Sequence, residues 1–92
     1  MNFLEFITSA QVLAGMCVAG ELPGIRSVSI SYYYNEADPF VAVNARGRKS
    51  AEHPDGDFVC LTASQNWNED FILKQYTELR EFIDKQAEEA GL

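Results

Sequence analysis

Between Phe3 and Val18, the apolar residues Phe3, Phe6, Ala10, Leu13 and Cys17 recur at steps of three and four. That spacing lines one face of an α-helix, and Gly20 with Pro23 supplies the stop. Gly15 lies inside this helix at a cost of roughly 1 kcal/mol relative to alanine, which close packing against a sheet would explain. From residue 25 the period changes to two: in "IRSVSISYYY", Val28, Ile30, Tyr32 and Tyr34 fall on one side and Ser27, Ser29, Ser31 and Tyr33 on the other. This predicts a strand over 25–34 with one dry and one wet face. The turn-forming run Asn35-Glu36-Ala37-Asp38-Pro39 and the apolar stretch Phe40–Ala45 complete an antiparallel hairpin. A polar loop closed by Pro54-Asp55-Gly56 leads to a third strand, Asp57–Ala63. Asn66, with Glu69 three residues on, fits the start of a second helix. Ile72, Tyr76, Leu79, Ile83 and Ala87 form its apolar stripe, widened by Phe71 and Phe82, and Gly91 marks its end.

The predicted fold is α+β in the order α-β-β-β-α, a three-stranded antiparallel sheet with two helices on one face, over a single domain of residues 1–92. The opposite face, carrying the serine row and Tyr33, is left open. The alternation assigns Tyr32 and Tyr34 to the core and Tyr33 to the surface as an anchor, because an exposed tyrosine buries a large area on binding with little entropy loss. A register slip of one residue would exchange these roles.

Composition narrows the function classes. Of the 92 residues 47% are hydrophobic, enough for a core, and seven basic against fourteen acidic residues give a net charge of −7. Such a chain is repelled by free nucleic acid at long range. Seven of the acids lie between Glu69 and Glu89, so the last helix is acidic and suited to docking on a basic surface. Cys17 and Cys60 sit among apolar neighbours and read as small core hydrophobes in a reducing compartment. With one histidine and no Cys-x-x-Cys spacing, no zinc site is expected. No cofactor is implied. The start lacks a basic leader and no apolar run is long enough to span a membrane, so a cytoplasmic location is expected.

Candidate chemistry is sparse. His53 lies near Asp55 and Asp57 in a polar loop without a placed nucleophile, an arrangement that reads as a turn rather than a catalytic triad. No phosphate loop, paired-carboxylate motif or metalloprotease signature is present, so no enzyme activity is expected. The one concentrated positive feature is "NARGRKSAEHPDGD", residues 44–57, in which Arg46, Arg48 and Lys49 could meet phosphate or carboxylate; arginine's planar fork suits both. The element order is similar to that of the double-stranded-RNA-binding domain. That family grips phosphate through lysines at the start of its last helix. Here the place is held by Asn68, Glu69 and Asp70, and the first hairpin carries Glu36 and Asp38, so ordinary duplex binding is not expected.

Over its full length, from "MNFLEFITSAQVLAGMCVAGELPG" to "LTASQNWNEDFILKQYTELREFIDKQAEEAGL", the chain resembles the phage-encoded anti-CRISPR proteins of the type I-F class. The resemblance rests on overall sequence and length, since the class shares no diagnostic motif. It implies a stoichiometric inhibitor, not an enzyme, that binds the crRNA-guided surveillance complex in the host cytoplasm and prevents target DNA from hybridising. The implied partners are Cas proteins and, by direct contact, the guide RNA; neither a membrane nor free DNA is. On this reading Arg46, Arg48, Lys49, His53, Tyr33, Glu69 and Asp70 are the partner-binding residues. Two alternatives stand beside it: a degenerate RNA-binding-like interaction module, and an acidic immunity or antitoxin partner.

Overall fold

The computed structural model describes residues 1–49 and 51–91; Ser50, within the basic stretch, lies outside them. Helix α1 spans Phe3–Val18, strands β1, β2 and β3 span Ile25–Tyr33, Phe40–Gly47 and Phe58–Ser64, and helix α2 spans Glu69–Ala90. The sheet order is β1-β2-β3 with both pairings antiparallel. The α+β reading and the order α-β-β-β-α therefore hold.

Helix α1 starts on a reciprocal cap. The Asn2 side chain accepts from the Glu5 amide at 2.8 Å, and the Glu5 carboxylate accepts from the Asn2 amide at 3.0 Å. Two of the four unpaired N–H groups of the first turn are thereby satisfied. Phe6, Ala10 and Leu13 are buried, as their spacing requires. Gly15 is exposed, with no atom within 4 Å of the position a Cβ would occupy, so close packing does not explain it. Gly15→Ala is accordingly expected to stabilise the protein by about 1 kcal/mol through helix propensity, measured as a higher urea midpoint with an unchanged m-value.

Register divides the sheet faces cleanly. Val28, Ile30 and Tyr32 of β1 pair with Ala45, Val43 and Val41 of β2, which pair in turn with Val59, Leu61 and Ala63 of β3. This face meets both helices: Val41, Val43, Ala45, Leu61 and Ala63 join Phe6, Leu13, Ile72, Leu79 and Ile83 in one core. The other face carries Ser27, Ser29, Ser31 and Tyr33, then Phe40, Ala42, Asn44 and Arg46, then Phe58, Cys60, Thr62 and Ser64.

Several expectations need correction. Strand β1 stops at Tyr33, and Tyr32, Tyr33 and Tyr34 are 58%, 49% and 84% exposed, so no tyrosine of the triplet enters the core. Tyr32 does lie on the covered face, but near its margin, where Gln11 Nε2 donates to its hydroxyl at 2.9 Å. Cys60 is exposed on the open face, because an apolar sequence neighbour in a strand points to the opposite side; Cys17, on α1, is half-buried against the core as expected. The cap of α2 is Asn68, whose side chain accepts from the Asp70 amide at 2.7 Å, not Asn66. Phe71 leaves the stripe and is 46% exposed, and Gln86 takes a buried place instead.

Candidate functional surfaces

The long axis of the molecule separates two ends. Helix α2, with 22 residues, extends for about 33 Å in a body whose principal extents are 43 × 22 × 21 Å. Its first turn lies by the β1–β2 hairpin and its last turns lie by the β2–β3 loop.

At the first end, the hairpin and the β3–α2 turn are tied together. Ser64 Oγ donates to the Asp38 carboxylate, Asn66 Nδ2 donates to Ala37 O at 2.9 Å, and the Gln65 amide donates to Pro39 O at 3.2 Å. Asn66 thus serves as a clasp between two loops rather than as a helix cap. The Tyr33 and Phe40 rings stack at 4.6 Å with planes 11° apart, and the Trp67 and Phe71 rings meet edge to face at 4.9 Å and 82°. Glu36, Asp38, Glu69 and Asp70 are all at this tip and exposed. Neither 33–40 nor 62–72 contains a lysine or arginine. The tip is therefore acidic, aromatic and without a cation of its own in these two segments.

The other end carries mixed charge, and here the basic stretch divides. Residue 46 belongs to β2, which continues to Gly47 beyond the expected end at Ala45. Arg46 consequently lies on the open sheet face, its guanidinium 4.8 Å above the Phe58 ring. Arg48 and Lys49 instead line a depression of about 540 Å³ with Glu52, His53, Asp57, Lys85, Gln86 and Glu89. The three cations therefore do not form one prong. Arg26 also comes to this end, its side chain donating to Asp55 O at 3.5 Å.

A buried amide holds the loop in place. Gln86 is 4% exposed, and its Nε2 donates at 3.0 Å to Asp57 Oδ2, while Asp57 Oδ1 lies 3.2 Å from His53 Nε2. The Asp57 carbonyl accepts from the Gly47 amide at 2.8 Å. Gly47 lets Gln86 approach closely, since a Cβ there would displace the end of the Gln86 side chain. His53 and Asp57 thus form the turn the sequence suggested, and their role is to dock the loop on α2. Gln86 was missed because a glutamine in an acidic helix reads as solvent-facing; its place one turn after the core residue Ile83 is the signal that it shares the buried side.

The sheet face between the ends is neutral. Ser29, Ser31, Asn44 and Thr62 lie between the Tyr33–Phe40 pair and the Arg46–Phe58 pair, Ser27 sits opposite Arg46, and no strand position on this face carries a carboxylate. Among the described residues no group of three or more His, Cys, Asp or Glu side chains is placed to hold a metal ion, and no helix is long and apolar enough to cross a membrane. Against known proteins, no family model matches the chain, and no curated protein or solved structure gives a significant match.

Of the residues expected to bind a partner, the structure brings Glu69 and Asp70 together at the tip and gathers Arg48, Lys49 and His53 at the opposite end. Tyr33 and Arg46 share the open face but stand at its two ends. Trp67, Phe71 and Tyr34 were not singled out from the sequence. Tyr34 and Phe71 are exposed, and Trp67 is half-buried against the core; for Trp67 and Phe71, an apolar ring next to Asn and Glu at a helix start was the available cue.

Proposed function

We propose that this protein is a stoichiometric, non-catalytic inhibitor of the type I-F crRNA-guided surveillance complex that blocks recognition of target DNA. The partner is taken from the resemblance of the whole chain to type I-F anti-CRISPR proteins. The mode of action is carried by one observation: the acidic tip, continued by the carboxylates along α2, forms a negative surface on a chain of net charge −7. A DNA-binding channel is lined with lysine and arginine and focuses a positive field. An acidic domain with exposed rings competes for it on two grounds, since carboxylates pair with its cations and aromatic faces attract them.

The division of the basic stretch changes what its members do in this mechanism. Arg46 is held on Phe58 and faces the neutral sheet surface, so it is not at the leading end. Arg48 and Lys49 stand at the end opposite the tip, where they can reach guide-RNA phosphate while the tip rests on protein. Two charges of this kind add affinity without supplying it alone. The expected result is that Arg46→Glu leaves binding to the purified complex within about twofold, while the pair Arg48→Glu and Lys49→Glu weakens it by up to about tenfold. Equal losses from both variants would show that the three cations act together after all.

Affinity purification from cells that carry a type I-F system tests the assignment of partner. The proposal expects the assembled complex, with its guide RNA, to be recovered. Recovery of a single toxin would favour the immunity reading, and retention of free duplex RNA at low salt would favour the RNA-binding one.

A further inference from the structure

We propose that the corner between the Trp67 and Phe71 rings is a receptor for one arginine or lysine side chain of the partner. This rests on the reading above that the acidic tip docks on a basic protein surface, and it specifies which contact leads.

The corner is a shallow hollow of about 510 Å³ lined by Asn66, Trp67, Asn68 and Phe71. Rings 82° apart at 4.9 Å supply a floor and a wall, so a flat guanidinium or an alkyl-ammonium stem can lie on one face while its side abuts the other. A cation is attracted to such faces by the negative side of the ring quadrupole. Four tip carboxylates, Glu36, Asp38, Glu69 and Asp70, set the sign of the field. The start of α2 presents about half a positive charge, which Glu69 and Asp70 on its first turn outweigh. An anion is therefore excluded as the guest. The nearest cation in the sequence, Lys74, is exposed one turn further along α2 and does not line the hollow. The Asn66 and Asn68 side chains that complete the lining are already hydrogen-bonded to Ala37 O and to the Asp70 amide, so the carboxylates around the hollow decide the guest, and charge complementarity favours a cation over an apolar group.

The chain contains one tryptophan, so intrinsic indole fluorescence reports this corner directly. The full-length protein at low salt is titrated with tri-arginine amide, tri-lysine amide and tri-norleucine amide, following Trp67 emission. The expected result is a saturable change with the two basic peptides and none with norleucine. Phe71→Leu, which keeps apolar bulk but removes the ring, is expected to weaken arginine-peptide binding at least threefold, and Phe71→Tyr to preserve it. Joint replacement Glu69→Gln and Asp70→Asn is expected to weaken it about tenfold, whereas Glu88→Gln with Glu89→Gln at the far end leaves it unchanged. No saturable response to arginine, tighter binding of norleucine, or equal losses from the near and far acid pairs would overturn the proposal; the last would mean diffuse attraction to an acidic helix. Because the probe is a peptide, its failure is separate from failure to bind the surveillance complex.

Discussion

Replacing Gly24 with alanine is expected to destabilise the protein by about 3 kcal/mol. Gly24 has φ +78°, where an L-residue pays roughly 1–2 kcal/mol. A Cβ at this position would also overlap the Gln86 backbone carbonyl and lie 3.1 Å from Ala90 Cβ. The obstacle is helix backbone and cannot rotate away, so an overpacking cost of about 1–3 kcal/mol is added. The chain between α1 and β1 passes under the last turns of α2 at this point, and displacing α2 would pull Gln86 from Asp57. Urea unfolding followed by circular dichroism checks this. A loss below about 1 kcal/mol would mean that the α2 end and the Gly24 turn are not held together as described.

Reversing the charge of the tip with Glu69→Lys and Asp70→Lys is expected to lower affinity for the surveillance complex on the order of 100-fold, because two attractive contacts become repulsive. The same carboxylates complement the helix N-terminus, so a stability loss of about 1–2 kcal/mol accompanies the change. Affinity is therefore measured at a temperature where circular dichroism shows the variant folded. Reversal of Glu88 and Glu89 serves as the matched control with equal change in net charge. If both pairs cost the same, net charge rather than the tip governs docking.

The architecture was legible where periodicity was strong. The three- and four-residue spacing from Phe3 to Cys17 predicted α1, and the alternation of Val28, Ile30 and the serines placed the correct faces of β1. Both follow because burial on one side selects the residues on that side. Errors arose where local chemistry admitted more than one use. Asn66 and Asn68 are both capable caps, and only the clasp to Ala37 decides between them. Gly47 looked like loop, yet it is the last residue of β2 because the Asp57 carbonyl accepts its amide.

The candidate surfaces were less legible because they depend on which segments meet. Arg46, Arg48 and Lys49 are neighbours in sequence, but the end of β2 sends the first to the sheet face and leaves the others beside α2. Glu36 and Glu69 are far apart in sequence and come to one tip through the Ser64, Asn66 and Asp38 hydrogen bonds. Tyr33 lies on the open face as expected, but Tyr32 and Tyr34 failed as core signals: Tyr32 sits at the margin of an edge strand, where its hydroxyl meets Gln11 of α1, and Tyr34 lies beyond the end of β1. An exposed aromatic and acidic tip is therefore a property of the assembled loops.

The proposed inhibition requires the protein to occupy the surveillance complex stoichiometrically and thereby exclude DNA. Target-DNA binding by purified type I-F complex, measured at a complex concentration well above the affinity while this protein is added, tests it most directly. DNA binding is expected to fall in proportion to added protein and to be abolished at a small whole-number ratio to the complex. Undiminished DNA binding at saturating protein, or complete loss over time at a substoichiometric amount, would contradict it.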